Sequence, residues 1–199
     1  MIQSGKTDIG AYSLVKYIAG YEGKIHLNDT EFKDILRVAK DAFGPFMSES
    51  EVEKVVMPNT LLWIASRDNN VVGFTASSYK HDTIYLAAAA IVISEQRKGL
   101  YHVFNRLRIE DGLNKNFSIF TTRTQNPNVE RGIIHALEIL KSEHLISGYT
   151  IKHDILPSVY GRTLTRIVPK SSNEDINQIF SVLNYNRGDA FHITFSITR

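Results

Sequence analysis

Apolar residues recur at helical spacing through the first third of the chain. Residues 12–19 predict a short amphipathic helix, and residues 24–27 predict a short strand. A longer helix is predicted after the polar cluster at 28–30, whose side chains can cap it, and it ends at Gly44 and Pro45. Residues 48–56 predict a shorter second helix.

Strand patterns dominate the middle of the chain. Residues 61–66 and 71–77 flank a polar turn and predict a hairpin. The apolar run at 84–93 is about half as long as a membrane span, and it predicts a strand buried on both faces at the centre of a sheet. A helix beginning near Leu100 and a strand at 117–122 follow, so the two strands are expected to be parallel with a right-handed crossover.

The last third of the chain has a less regular pattern. Asn126 and Pro127 predict the start of a helix, and Ser172 is expected to cap a later one, with Ile176, Ile179, Phe180 and Leu183 facing inward. Residues 145–152 and 162–168 predict strands. Residues 191–197 alternate between apolar and polar side chains, which predicts a half-exposed antiparallel edge strand. The order of elements predicts an α/β fold, with a mixed central sheet flanked by helices.

Composition narrows the classes of function. At 199 residues the chain is expected to form one domain around one core. Lysine and arginine number 23 against 21 aspartate and glutamate, so we expect no nucleic-acid partner of the kind held by overall positive charge. The absence of cysteine excludes disulfides, thiolate nucleophiles and sulfur-ligated zinc. The polar first residues and the lack of a membrane-length apolar run lead us to expect a cytoplasmic protein that does not bind membranes.

Residues 91–101 carry the clearest chemical signal, because a predicted buried strand runs into a basic glycine turn that opens a helix. Backbone N–H groups at a helix N-terminus, the helix dipole and a glycine that permits close approach together suit a phosphate. Arg97 and Lys98 place positive charge beside the turn. An ordinary strand-to-helix turn with solvated basic residues explains the same pattern.

The turn resembles the signature of the GNAT superfamily of acyl-CoA N-acyltransferases, which is Arg or Gln, two residues, Gly, one residue, then Gly or Ala. Gln96 and Gly99 match its first two positions, and Tyr101 replaces the small residue expected third. The resemblance covers about residues 24–168 and implies a single GNAT-like domain, with additions before and after that core. It also implies an acetyl-CoA or other acyl-CoA co-substrate and no metal. The cofactor-binding residues that it implies are Ile91, Val92, Ile93, Gln96, Arg97, Lys98, Gly99, Leu100, Tyr101 and Asn126.

The segment at 122–127 is similar to one found in many bacterial members of the superfamily. Through this resemblance Asn126 corresponds to an asparagine that contacts the pantetheine arm of the cofactor. Asparagine before proline is more commonly a plain helix N-cap, and the two roles are compatible.

The resemblance further implies direct attack of an amine on the thioester, with backbone N–H groups of Ile91, Val92 and Ile93 near the developing oxyanion. The glutamate that often serves as base in the superfamily has no counterpart at 86–90, where every residue is apolar, so deprotonation through water is the remaining route. Tyr160 is the candidate acid, with Tyr149 as the other nearby tyrosine. Both tyrosines are also explained by ordinary packing of the ring with the hydroxyl at the surface.

The sequence therefore predicts an N-acetyltransferase that transfers an acyl group to the primary amine of a small molecule or peptide. A GNAT-like module that binds CoA without catalysis is the alternative, and it is favoured by Tyr101 and by the apolar residues at 87–90. A phosphate-loop nucleotide-binding protein is excluded, because no Gly-Lys-Ser/Thr follows the turn. The exposed alternating strand near the C-terminus is expected to permit pairing in a homodimer.

Overall fold

A computed structural model describes residues 2–19, 24–164 and 167–199. Its contacts divide the chain into two compact units, one made of residues 1–80 and 86–104, the other of residues 81–85 and 105–199. One strand and one helix each have residues in both units. Within the described residues, no helix combines the length and the apolar character needed to cross a membrane.

The first unit is an antiparallel sheet with two helices. Its strands pair in chain order, β1 with β2, β2 with β3 and β3 with β4. The elements are β1 (Ile2–Ile9), β2 (Tyr12–Ile18), α1 (Asp29–Phe43), α2 (Glu49–Val56), β3 (Leu61–Arg67), β4 (Asn70–Lys80) and residues 86–91 of β5 (Thr83–Ile91). Both helices begin with a capping box, Asn28 with Glu31 and Ser48 with Glu51, and the two predicted helices are confirmed.

Two predictions for the N-terminal part of the chain are wrong. Residues 12–18 form β2 and not a helix, because their backbone pairs with β3 from Ser13 to Ile18, with Leu14 opposite Ala65. Residues 24–27 are not a strand, since the N–H of Ile25 donates to the carbonyl of Met57 in a loop contact. The predicted hairpin of β3 and β4 is confirmed.

The second unit is a mixed sheet in the order β5, β6, β8, β7. Its first pair is parallel, from Thr83 opposite Ile119 to Tyr85 opposite Thr121, which confirms the predicted crossover strands. The other pairs, β6 with β8 and β8 with β7, are antiparallel. The elements are residues 105–114 of α3 (Leu100–Asn114), β6 (Ile119–Thr124), α4 (Pro127–Ser142), β7 (Gly148–Leu156), α5 (Glu174–Phe180) and β8 (Ala190–Thr198).

The C-terminal strand is an inner strand, and its prediction as an edge is wrong. Phe191 to Ser196 of β8 lie opposite residues of both β6 and β7, so each edge of the strand is paired. Residues 169–199, expected as an addition to the core, supply this central strand and α5. The homodimer expectation depended on a free edge here, which the fold does not provide.

Smaller differences affect the flanking predictions. Asn173, not Ser172, caps α5, and Ile179 is 37% exposed while Ile176 and Phe180 are buried. The strand expected at 145–152 begins at Gly148. Residues 165 and 166 of the strand expected at 162–168 lie outside the described residues, and the remainder is irregular.

β5 is buried on one face more than on the other. Ile84 and Leu86 are buried, whereas Tyr85 is only partly covered, so the prediction of burial on both faces is wrong along this stretch. Alternate side chains of a strand point to opposite faces, and Tyr85 shows that the second face of β5 is accessible. The predicted fold class is confirmed, because the chain is α/β with parallel and antiparallel strands in a sheet flanked by helices.

Gly112 of α3 tests the packing of the second unit. A Cβ added there would lie 2.4 Å from Cδ1 of Ile84 and 2.6 Å from the ring of Phe120. We expect Gly112→Ala to lower the free energy of unfolding by about 1–3 kcal/mol, because overpacking outweighs the gain in helix propensity. Urea denaturation measures the change. Gly148→Ala is the matched control, since no atom lies within 4 Å of its added Cβ, and equal stability of the two variants would contradict this packing.

Candidate functional site

The turn between β5 and α3 is exposed and has two residues in left-handed backbone conformations. A single 3-10 turn, Ile93–Glu95, follows β5, and α3 begins at Leu100. The φ angles of Arg97 and Gly99 are +64° and +91°. No atom lies within 4 Å of a Cβ added at Gly99, so the turn faces open space. The sequence pattern of strand, glycine turn and helix is therefore present as predicted.

Four consecutive backbone N–H groups in this turn have no acceptor within the part of the chain that the structure describes. The amides of Arg97, Lys98, Gly99 and Leu100 donate no hydrogen bond to any residue that the structure describes. Leu100 is the first residue of a 15-residue helix, where the helix dipole is positive. Consecutive free N–H groups at such a position, with alternating backbone hand, form a concave site for an anion.

The buried carboxylate of Glu95 links the turn to neighbouring strands. Glu95, 8% exposed, accepts hydrogen bonds from Tyr12 Oη at 2.9 Å, Lys98 Nζ at 3.0 Å and Arg67 Nη1 at 3.2 Å. The donors come from β2, β3 and the turn itself. This set, Tyr12, Arg67, Glu95 and Lys98, is called the Glu95 cluster here.

The Glu95 cluster keeps its charges fixed at neutral pH. The pKa of Glu95 lies below its ordinary value, first because Lys98 donates to it and then because Tyr12 and Arg67 do. The pKa of Tyr12 is raised by burial and by its hydrogen bond to Glu95. Glu95 is therefore ionised and Tyr12 protonated, which is the combination that maintains all three hydrogen bonds.

A cavity of about 330 Å³ lies beside the turn in the first unit. The turn between β1 and β2 forms one wall, and the Gly99 turn with α3 forms another. The lining residues are Ile9, Gly10, Ala11, Tyr12, Arg67, Lys98, Gly99 and Val103. The N-terminal hairpin therefore helps to shape the surroundings of the free amides.

The residues just before the turn are used within the protein. The N–H of Val92 donates to the carbonyl of Val72 at 2.9 Å, and that of Ile93 donates to Oδ2 of Asp41 at 2.6 Å. Gln96 Nε2 donates to the carbonyl of Ile91 at 3.0 Å. Ile91 and Val92 are buried, and Ile93 is 64% exposed. These contacts hold the turn in place, while the roles of Ile91, Val92, Ile93 and Gln96 as cofactor ligands stay predictions.

Asn126, in the second unit, is the N-cap of α4, as expected. Its Oδ1 accepts from the N–H and Nδ2 of Asn128 at 3.0 and 3.2 Å. Thr124 Oγ1 accepts from the N–H of Asn126 at 2.9 Å. The contact of Asn126 with a pantetheine arm stays a prediction, as does the role of Tyr101, which lies in the first turn of α3.

Tyr160, the candidate acid, lies against Arg123 in the second unit. Its hydroxyl donates to the carbonyl of Arg123 at 3.1 Å, and its ring centroid is 6.0 Å from Cζ of Arg123. Burial, followed by the nearby Tyr85, raises the pKa of Tyr160 to about 12, so the phenol is protonated at neutral pH. Tyr149 donates to Oε1 of Glu138 at 2.5 Å. Catalysis by Tyr160 stays a prediction.

Sequence reasoning missed most of the Glu95 cluster. Glu95 lies within residues 91–101, but a carboxylate beside a turn that suits a phosphate is not predicted to bind the ligand. Tyr12 fell in a segment predicted as helix, and Arg67 in a hairpin turn. Residues 12–18 carry no local signal of a strand, because their apolar residues stand in adjacent pairs and do not alternate, so only the pairing with β1 and β3 identifies Tyr12 as a strand residue.

Removing the Glu95 charge tests the anchor. We expect Glu95→Gln to lower the urea midpoint at pH 7, because a neutral amide cannot accept from three donors, two of them cationic. The pKa of Glu95 is lowered by folding, so its contribution is complete above the ordinary value of 4.5 and is lost as the pH falls through the lowered pKa. The difference between wild type and variant should therefore shrink in acid.

Glu53→Gln on α2 is the control, since this carboxylate is exposed. Its urea midpoint should match that of the wild type at every pH. A Glu95→Gln midpoint equal to that of the control at pH 7 would show that the cluster does not stabilise the turn.

Comparison with solved structures identifies the fold. A ribosomal-protein-S18-alanine N-acetyltransferase from Escherichia coli is 15% identical, with a TM-score of 0.58 over 88% of this chain and 94% of that one. A putative GNAT acetyltransferase from Desulfovibrio desulfuricans is 12% identical, with a TM-score of 0.58 over 94% and 99%. A GNAT acetyltransferase from Elizabethkingia anophelis with acetyl-CoA bound is 16% identical, with a TM-score of 0.52 over 92% and 97%.

The likeness is one of structure, because no family model and no curated protein matches the sequence. It extends over nearly the whole of the solved chains. The chain therefore has the fold of the GNAT acyl-CoA N-acyltransferases.

Proposed function

We propose that this chain is an N-acyltransferase that uses an acyl-CoA, with the diphosphate of CoA bound at the turn between β5 and α3. The observation that carries the proposal is the run of N–H groups from Arg97 to Leu100 without an acceptor among the described residues. A diphosphate supplies several oxygen acceptors, and backbone amides at a helix start are suited to them.

Side chains around the turn support an anionic ligand. Arg97 is exposed and makes no ion pair with any described residue. Lys98 gives one of its three N–H donors to Glu95, which fixes the ammonium and leaves two donors for a phosphate. The fold supports the same ligand, since the solved Elizabethkingia anophelis structure of this fold has acetyl-CoA bound.

The proposed reaction is direct acyl transfer. The amine nitrogen attacks the thioester carbonyl, a C–N bond forms, the C–S bond breaks, and the sulfur leaves as CoA. The amine loses one proton to solvent, and the thiolate gains one. Tyr160 is the candidate proton donor, the resemblance assigns Asn126 to the pantetheine arm, and the proposed acceptor is the primary amine of a small molecule or peptide.

Binding of CoA without catalysis remains the second candidate. It is favoured by the hydrogen bonds of Val92 and Ile93, whose amides the resemblance assigns to the oxyanion but which donate to Val72 and Asp41. It also agrees with the absence of any carboxylate at 86–90.

Gly99 provides the test of cofactor binding. We expect Gly99→Val to weaken acetyl-CoA binding at least tenfold, or about 1.4 kcal/mol, because a branched side chain strains the φ of +91° and covers the amides. Isothermal titration calorimetry measures the Kd. Gly44→Val is the matched control, since Gly44 has a φ of +114° and open space around its added Cβ. An unchanged Kd for Gly99→Val, with the fold intact by circular dichroism, would contradict the site.

Transfer itself separates the two candidate functions. We expect the wild type, given acetyl-CoA and a panel of primary amines, to form an N-acetylated product detectable by mass spectrometry, and Gly99→Val to form less at the same cofactor concentration. Tight acetyl-CoA binding with no product from any amine would favour the non-catalytic module.

A further inference from the structure

One face of the second unit's sheet is polar and carries a row of ionisable side chains. Directly opposed residues on neighbouring strands project to the same face. Arg123 of β6 lies opposite His192 of β8, which lies opposite Asp154 of β7. Thr121, two residues before Arg123 and therefore on its face, lies opposite Tyr85 of β5. The other face holds the apolar residues Ile84, Phe120, Phe195 and Ile151.

Arg123 is held in this row by two tyrosines. Its Nη2 donates to Tyr85 Oη at 3.4 Å, and the ring of Tyr160 lies 6.0 Å from its Cζ. Tyr160 is itself fixed, because its hydroxyl donates to the carbonyl of Arg123 at 3.1 Å. A guanidinium beside an aromatic ring and a phenol is oriented without losing its charge.

No carboxylate neutralises Arg123 among the described residues. Two other arginines of this unit have acidic partners, since Arg106 pairs with Glu143 at 2.8 Å and Arg187 pairs with Asp189 at 2.6 Å. Asp154, the acid of the row, pairs with Lys152 at 2.9 Å. The Arg123 side chain is exposed. It lies two residues beyond Thr121, which is the last residue of β6 that pairs with β5. The row therefore presents one oriented positive charge that has no acidic partner among the described residues.

We propose that Arg123, oriented by Tyr85 and Tyr160, binds the carboxylate of the acceptor, so that the acceptor is a primary amine that also carries a carboxylate. This inference rests on the proposed function. The guanidinium offers two parallel N–H donors, which match the two oxygens of a carboxylate. One cation flanked by two neutral phenols balances a monoanion, which favours a carboxylate over a doubly charged phosphate.

A direct binding measurement tests the carboxylate site without catalysis. The Nε–Hε signal of Arg123 in ¹⁵N-labelled protein is identified by its loss in Arg123→Gln. We expect it to shift when at least one member of a set of amino acids is added, and not when the corresponding amino acid amides are added. No shift with any amino acid, equal shifts with acids and amides, or a shift produced only by inorganic phosphate would overturn the inference.

Kinetics test the role of the site in transfer. For an amino acid that the wild type acetylates, Arg123→Gln should raise KM at least tenfold, with recovery of part of the loss in Arg123→Lys. The KM for its amide and the Kd for acetyl-CoA should stay within twofold. Lys152→Gln is the control, since it removes one positive charge from the same face, and it should change none of these constants beyond twofold.

The outcomes separate this inference from the proposed function. If the wild type does not bind acetyl-CoA, the proposed acyltransferase function is refuted. The NMR titration then decides by itself whether Arg123 binds carboxylates. Acetylation of amides as efficiently as acids, or equal losses for both in Arg123→Gln, would refute carboxylate recognition and leave the acyltransferase standing.

Discussion

The candidate function depends on the four backbone N–H groups from Arg97 to Leu100, which have no hydrogen-bond acceptor among the described residues. Every helix begins with amides that its own turns cannot satisfy, and most proteins cover them with a capping side chain or leave them to water. α1 and α2 follow the first course, with Asn28 and Ser48 as caps. α3 has no such cap among the residues described, and its start is open at Gly99. The same chain therefore caps α1 and α2 with side chains and leaves the start of α3 available for a ligand.

An open turn binds well only if its shape is fixed before the ligand arrives, because ordering a flexible loop costs free energy at each binding event. The Glu95 cluster supplies that order, because one hydrogen bond joins Glu95 to Tyr12 of β2, a second joins it to Arg67 of β3, and a third joins it to Lys98 within the turn. Gln96 adds a bond to the carbonyl of Ile91. Polar contacts are therefore concentrated on the residues next to the amides. The amides themselves donate no hydrogen bond to any described residue.

The sequence was sufficient to predict the turn but not its support. Gly99, the apolar strand before it and the helix after it are neighbours in the chain, and local pattern reports such neighbours well. The Glu95 cluster joins Tyr12 to Glu95 across 83 positions, and no periodicity shows such a pair. The same distinction explains residues 12–18, because a short segment with paired apolar residues suits a helix or a strand until its partner strand is known.

The error over β8 bears on the second candidate site. Alternation of apolar and polar residues reports that one face of a strand is exposed, and it says nothing about whether the edges are paired. His192, Thr194 and Ser196 face the exposed side of an inner strand, so their polarity belongs to the sheet surface that also carries Arg123. An edge strand would have offered its backbone to another chain. An inner strand with one polar face offers side chains, and side chains such as Arg123 distinguish one small ligand from another.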